Sequence, residues 1–182
     1  MINVEHLDKY ISEDYRQTLS DMHDQNPGWA KSGTRFLQQI KDLIEQTKPR
    51  SILDYGCGKG ALITQLNQIY PHIHKDLYDP AMEEYYHDPV AADLVICTDV
   101  LEHVEPDHIM DVLKHLDSLA YKTIYMVVHT GDCGHKLPDG RPAHILQKPA
   151  DWWYEMFAYC FNNMDFHCED TGLPMRFQAI GH

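Results

Sequence analysis

Residues Ser51 to Gly60, with the sequence SILDYGCGKG, decide the fold that we predict for this chain. Apolar side chains in a strand pattern lead into three glycines that alternate with other residues, and a helical pattern follows. Glycine has no Cβ atom, so a glycine-rich bend can adopt positive φ angles and let a ligand approach backbone N–H groups. The stretch therefore predicts a strand, a ligand-binding loop and a helix. Asp54 would lie at the carboxyl end of the strand, where open α/β sheets bind their ligands.

The spacing of the glycines excludes two common nucleotide-binding loops. The pattern from Asp54 is Asp-x-Gly-x-Gly-x-Gly, which differs from the Gly-x-Gly-x-x-Gly of nicotinamide dinucleotide sites. Lys59 is followed by Gly60 and not by the serine or threonine that ends a phosphate-binding loop. A different nucleotide-like ligand is indicated.

A second stretch, Ala92 to Val104 (ADLVICTDVLEHV), follows the glycine loop along the chain. The two stretches in this order resemble the class I S-adenosylmethionine-dependent methyltransferases, and in its brevity the chain is similar to the short stand-alone proteins of this class in bacteria and phages. The resemblance covers roughly residues 34 to 130. It implies an α/β fold with a Rossmann-like, doubly wound, mostly parallel sheet, and S-adenosyl-L-methionine as the cofactor.

The resemblance also implies which residues contact the cofactor: Asp54, Gly56, Cys57, Gly58, Gly60, Asp79, Pro80, Thr98, Asp99 and Val100. Asp79 follows Gly60 by 19 residues, close to the ~20 typical of the acid that binds ribose in nucleotide-binding units. Only the eleven residues MEEYYHDPVAA then precede Asp93, too few for a crossover helix and a strand. We therefore expect the family's third strand to be rudimentary or absent.

Methyl transfer to a hydroxyl or a protonated amine needs a general base, and imidazole titrates near neutral pH. His129 leaves the end of a predicted strand and is the first candidate, His144 the second and His103 the third. The segment from His129 to Gln147 has neither helical nor strand periodicity. Long irregular segments after a central strand are usually functional, so we expect this one to form a wall of the substrate pocket.

A metal site is an open alternative. Asp99-x-x-Glu102-His103, joined by His129 or His144 from the later segment, is similar to the Glu-x-x-Glu-His arrangement of metal-dependent small-RNA 2′-O-methyltransferases. On a helical turn these side chains could present carboxylate and imidazole to a divalent ion. Metal-assisted methylation of RNA or a nucleotide therefore competes with our first hypothesis, methylation of a small molecule on oxygen or nitrogen. A non-catalytic cofactor-binding module is a third possibility.

The composition of the 182 residues bears on partners and location. A net charge of −13 without any run of lysine and arginine disfavours nucleic acid, which leaves a small-molecule acceptor as the default. No apolar run approaches the ~20 residues that span a bilayer, so no membrane partner is predicted. The five cysteines are odd in number and lack a Cys-x-x-Cys pair, which is typical of a reducing, cytoplasmic location.

The length predicts one methyltransferase domain over residues 1–182. Within it, residues 1–30 would form an N-terminal lid or helical segment, with a helix starting after Ser12, and residues 34–182 the Rossmann-like core. Tyr15, His23 and Trp29 could face the substrate if the segment is a lid. The alternative is an ordinary surface helix. Residues 165–169 and 175–180 are predicted to close the sheet as an antiparallel hairpin.

Overall fold

The structure is a computed structural model that describes residues 9–26, 28, 32–161, 166–170 and 176–181. The strands are β1 (Ser51–Tyr55), β2 (His74–Tyr78), β3 (Ala92–Thr98), β4 (Ala120–His129), β5 (Phe166–Asp170) and β6 (Arg176–Gly181). The helices are α1 (Glu13–Gln25), α2 (Leu37–Thr47), α3 (Ala61–Ile69), α4 (Ile109–Leu119) and α5 (Ala150–Cys160), and a 3₁₀ segment, Ser32–Phe36, leads into α2.

All six strands form one sheet in the order β2-β1-β3-β4-β6-β5. The first four strands are parallel, and β6 runs antiparallel to both β4 and β5. This arrangement confirms the predicted Rossmann-like α/β fold. The connection between β5 and β6 lies outside the described residues, so its form as a hairpin stays a prediction.

Helices cover both faces of the sheet, as a doubly wound fold requires. On one face, α2 and α3 pack on Ile52, Leu94 and Ile96. On the other face, α4 and α5 pack on alternate residues of the same strands. All seven residues of β3 are buried, because this central strand has a layer of helices on each side. The aromatic face of α5 belongs to this core, with Trp153 and Phe157 fully buried.

The third strand of the family is missing, as predicted. Residues 80–91, which join β2 to β3, contain only a 3₁₀ turn at Glu83–Tyr85. Consequently β2 is the edge of the sheet, and four of its five residues are exposed or partly exposed.

The predicted N-terminal helix is α1, and Ser12 caps it by accepting a hydrogen bond from the backbone N–H of Tyr15 at 3.3 Å. Tyr15, Met22 and His23 are its buried residues. Trp29, the third predicted lid residue, lies outside the described residues. Within the described ranges, no helix is long and apolar enough to cross a membrane.

Candidate active site

The glycine loop joins β1 to α3 with Gly56, Gly58 and Gly60 all at positive φ, between +53° and +75°. The loop departs from the prediction in where its N–H groups point. Gly56 and Cys57 donate to the carbonyl oxygen of Tyr78 at 2.7 and 3.1 Å, and Gly60 donates to that of Cys57 at 3.0 Å. These donors are used inside the protein and not directed at a ligand. The glycines therefore permit the positive φ angles that the loop requires. The first turn of α3 faces the cavity in which a ligand would bind.

Gly56 is the position where the loop most needs glycine. A Cβ atom there would lie 2.4 and 2.7 Å from the two methyl carbons of Val100, which follows β3. Contacts this short do not occur between carbon atoms, and φ of +75° also disfavours any side chain. Gly56 and Val100, both predicted cofactor residues, can therefore lie this close only because glycine has no side chain.

Asp79 lies at the carboxyl end of β2, next to the glycine loop. Its carboxylate accepts hydrogen bonds from the N–H of Gly58 at 2.8 Å and from that of Ala81 at 2.9 Å. Each carboxylate oxygen has a further lone pair after these bonds. Burial raises the pKa of Asp79, although His23 and the two backbone N–H groups act in the opposite direction.

Asp54 is a second buried carboxyl in the same region. Burial raises its pKa from the ordinary 3.8 to about 7, and the negative charge of Asp79 adds to the increase. Two carboxyl groups close together in a buried site favour a cationic ligand, because such a ligand compensates the cost of ionising both.

We expect Asp54→Asn to stabilise the cofactor-free protein at pH 8. The pKa of Asp54 is higher in the folded protein than in the unfolded chain. Its contribution to stability is therefore present below about pH 4 and is lost as the pH rises through about 7. One pH unit corresponds to about 1.4 kcal/mol, so the stabilisation of Asp54→Asn relative to wild type should be smaller at pH 5 than at pH 8 by roughly 2–3 kcal/mol.

Urea unfolding of wild type and variant at the two pH values measures this difference. Asp14→Asn, on the exposed side of α1, is the control. A stability difference for Asp54→Asn that is the same at pH 5 and pH 8 would contradict the raised pKa.

A cavity of about 520 Å³ opens at the carboxyl ends of the parallel strands. Most of the predicted site residues line it: Asp54, Gly56, Cys57, Asp79, Pro80, Thr98, Asp99, Val100, His103, His129 and His144. The predicted cofactor residues Gly58 and Gly60 do not line it. The cavity thus brings the predicted cofactor residues and the predicted bases into one space.

Asp99 has the positive φ of +53° that is uncommon outside glycine. Its Oδ2 lies 3.3 Å from Nη2 of Arg35, whereas its buried Oδ1 has no hydrogen-bond partner among the described residues. Arg35 also lines the cavity. Arg35 could not be predicted from the sequence, because it lies 64 residues before its partner and no motif marks it.

Three histidines meet at the far side of the cavity. The ring centroid of His144 lies 4.8 Å from that of His103 and 4.8 Å from that of His129. The Nδ1–H of His103 donates to the carbonyl oxygen of Ala143 at 2.7 Å, and that of His144 donates to Gly131 at 2.5 Å. Both Nε2 atoms therefore keep their lone pairs.

The buried Glu102 completes this cluster. One ligand atom from each of Glu102, His103 and His144 lies within 4.8 Å of the others. Oε1 of Glu102 accepts the backbone N–H of His129 at 2.9 Å. Burial, and then the neighbouring His144, lower the pKa of His103 to about 4. Burial also lowers the pKa of His144, so both imidazoles are neutral at pH 7.

The segment from His129 to Gln147 forms a wall of the cavity, as predicted, and α1 lies beside it. His135, Asp132 and Cys133 of this segment line the cavity. The hydroxyl of Tyr15 donates to the backbone carbonyl of His103 at 2.8 Å, which ties α1 to the histidine cluster.

Comparison with known proteins gives the same fold. The plantazolicin methyltransferase BpumL in complex with SAH superposes with a TM-score of 0.64 at 14% identity, over 95% of this chain and 91% of that protein. The methyltransferase domain of bacterial CtHen1-CN gives 0.57 at 12% identity, over 80% and 96%. Human N-acetylserotonin methyltransferase in complex with SAM gives 0.56 at 16% identity, over all of this chain but only 60% of the human enzyme.

No curated protein matches the chain in sequence. A sequence model described as a methyltransferase domain, however, matches residues 22–168, which include the glycine loop, Asp79 and all three histidines. The chain therefore belongs to the methyltransferase-domain family.

Proposed function

We propose that this enzyme methylates a small molecule on a hydroxyl oxygen or an amine nitrogen. One observation carries the proposal: a single cavity is lined by Asp54 and Asp79 from β1 and β2, and by the three histidines beyond β3 and β4. Its volume of about 520 Å³ lies in the range of small-molecule sites. Cofactor and acceptor would then lie side by side at the carboxyl ends of the parallel strands.

For the cofactor, we propose that Asp79 accepts hydrogen bonds from the ribose hydroxyls through the lone pairs that Gly58 and Ala81 leave free. When bound, S-adenosylmethionine supplies an electrophilic methyl group on a positively charged sulfur. The carboxylates of Asp54 and Asp99 would favour its cationic groups.

For the acceptor, we propose His129 as the general base, with His144 as the second candidate. The Nδ1 atom of His129 lies 3.1 Å from the carbonyl oxygen of Gly131 and 3.3 Å from its backbone nitrogen, and these contacts orient the ring. The neighbouring neutral His144 can also receive a proton. The cavity is lined by six acidic side chains, against one arginine, Arg35, and five histidines. A neutral or cationic acceptor is favoured over one that carries phosphate.

The proposal is tested with tritium-labelled S-adenosylmethionine and a cell extract separated into small-molecule, RNA and protein fractions. We expect label in the small-molecule fraction only. Label in RNA or protein alone, or no transfer to any fraction by an enzyme that binds the cofactor, would contradict the proposal.

A second candidate is metal-assisted methyl transfer to a hydroxyl of an RNA or nucleotide. The close grouping of Glu102, His103 and His144 favours it. The residues fit a divalent ion: two imidazoles and a carboxylate are suitable ligands, and the Nδ1–H bonds of both histidines to backbone carbonyls are typical of metal-binding histidine. A bound ion would act as a Lewis acid toward the acceptor hydroxyl. The net charge of −13 speaks against RNA but not against the metal.

Calorimetric titration with Mn²⁺ and Co²⁺ separates the two candidates. If the metal candidate holds, wild type binds one ion and His144→Ala loses at least about tenfold in metal affinity. His135→Ala, in the same cavity but outside the cluster, should bind the ion like wild type. Absence of metal binding by wild type, or full activity in a chelator, would contradict the second candidate and leave the first intact.

We further propose that residues 1–182 form one domain and that the enzyme is cytoplasmic. Cys57, Cys97, Cys133 and Cys160 are free thiols, as is usual in a reducing compartment.

A further inference from the structure

The helix α1 is held at both ends by residues next to the proposed cofactor and acceptor sites. At its start, the N–H and the hydroxyl of Ser12 donate to the two carboxylate oxygens of Glu105 at 2.8 and 2.7 Å. At its end, Nζ of Lys59 donates to the carbonyl oxygens of His23 at 2.9 Å and Asn26 at 3.1 Å. A lysine at the last carbonyls of a helix is a favourable cap.

Lys59 lies between two glycines of the loop that we assign to the cofactor. The loop is therefore hydrogen-bonded directly to the end of α1 that carries His23. The helix is not an independent surface element, because its last turn and the glycine loop share hydrogen bonds.

The side chain of His23 is buried and faces the cavity. Only 6% of its surface is exposed, and it lines the cavity together with Asp79. Its Nδ1 atom has no hydrogen-bond partner among the described residues. A buried polar atom without a partner is costly and rare in folded proteins, and a missing ligand is a common explanation. A ligand in the cavity that His23 lines would supply a partner for Nδ1.

Electrostatics place His23 close to the proposed ribose site. Burial lowers the pKa of His23, and the negative charge of Asp79 opposes this effect. A ligand group near both side chains has to hydrogen-bond to a carboxylate and an imidazole together. The two adjacent hydroxyls of a ribose meet this requirement, since each can donate one hydrogen bond and accept others.

We propose that His23 is a cofactor-binding residue whose Nδ1 atom hydrogen-bonds to a ribose hydroxyl beside Asp79, so that α1 closes over the bound cofactor. This inference rests on the proposed position of the ribose at Asp79. It extends that proposal to the lid, because it assigns a direct cofactor contact to the N-terminal helix.

The test measures binding of S-adenosylhomocysteine by calorimetry. We expect His23→Ala to weaken binding about tenfold, the effect of one lost hydrogen bond. His23→Asn, which keeps a polar atom near the position of Nδ1, should restore most of the affinity, whereas His23→Leu should not. His74→Ala, an exposed histidine outside the cavity, is the control and should bind like wild type.

The 2′-deoxy and 3′-deoxy analogues of S-adenosylhomocysteine identify the contact. His23→Ala should weaken binding of one analogue far less than it weakens binding of the parent compound, because that analogue already lacks the hydroxyl. Thermal unfolding checks that every variant is folded.

The outcomes separate this inference from the proposed function. If wild type does not bind S-adenosylhomocysteine, the proposed cofactor site itself is wrong. If Asp79→Ala loses affinity while His23→Ala binds like wild type, only the role of His23 is wrong. A His23→Ala variant with unchanged cofactor affinity but a raised KM for the acceptor would place His23 at the acceptor and overturn the inference.

Discussion

Asp79→Ala is expected to weaken the binding of S-adenosylhomocysteine by about 10²–10⁴-fold. The proposed site uses the Asp79 carboxylate for two ribose hydroxyls, and a hydrogen bond to a charged group contributes about 1.5–3 kcal/mol. The substitution also removes the acceptor for the N–H groups of Gly58 and Ala81, so the glycine loop loses one of its hydrogen bonds to the segment at the end of β2. Both effects reduce affinity.

Asp76→Ala is the matched control for this experiment. Asp76 lies on the same strand and also accepts a backbone N–H, from Val90 at 2.8 Å, but it does not line the cavity. We expect Asp76→Ala to lower stability and to leave the dissociation constant nearly unchanged. If calorimetry shows Asp79→Ala binding within threefold of wild type, the ribose is not held there.

The second large effect is expected for Gly56→Ala, which should destabilise the protein by roughly 2–5 kcal/mol. An L-residue with left-handed φ costs about 1–2 kcal/mol, and overpacking against Val100 adds about 1–3 kcal/mol. Because whole domains are stable by only about 5–15 kcal/mol, the variant would be strongly weakened. Displacement of Val100 would also narrow the cavity, so cofactor affinity should fall as well.

Gly140→Ala separates backbone strain from steric overlap. Gly140 has φ of +89°, but nothing lies within 4 Å of its hypothetical Cβ atom, so only the backbone cost of about 1–2 kcal/mol applies. Val100→Ala in the Gly56→Ala background should recover part of the stability, as measured by urea unfolding. Equal losses in Gly56→Ala and Gly140→Ala would show that the contact with Val100 is unimportant.

Much of the fold was predictable because it depends on local patterns. The glycine loop, the buried run of β3 and the capped start of α1 each carry their own signal in a few neighbouring residues. The strand β2 has a weaker signal, since an edge strand with partly exposed residues lacks a continuous apolar pattern. The absence of the third strand was predictable from the small number of residues between Asp79 and Asp93 alone.

The contacts that assemble the site were not predictable, because each joins residues far apart in the sequence. Nothing near Lys59 indicates that it caps α1, and nothing near Glu105 indicates that it holds Ser12. The histidines were candidate bases individually, and the metal alternative joined His103 to His129 or His144. The three histidines lie together because His103 donates a hydrogen bond to the carbonyl oxygen of Ala143, which lies 40 residues later in the segment that forms the wall of the cavity.

The hydrogen-bond partners of the N–H groups in the glycine loop were also not predictable from the sequence. The glycines predicted a loop with donors free for a ligand, whereas Gly56 and Cys57 donate to the neighbouring strand. Loop geometry of this kind depends on the pairing of β1 with β2, which the glycine pattern does not encode.

A crystal structure of the protein with S-adenosylhomocysteine tests the central claim most directly. We predict that the ribose hydroxyls lie within hydrogen-bond distance of the Asp79 carboxylate and that the sulfur atom faces the side of the cavity formed by His129 and His144. A nucleoside bound elsewhere, or an Asp79 side chain turned away from the sugar, would contradict the account.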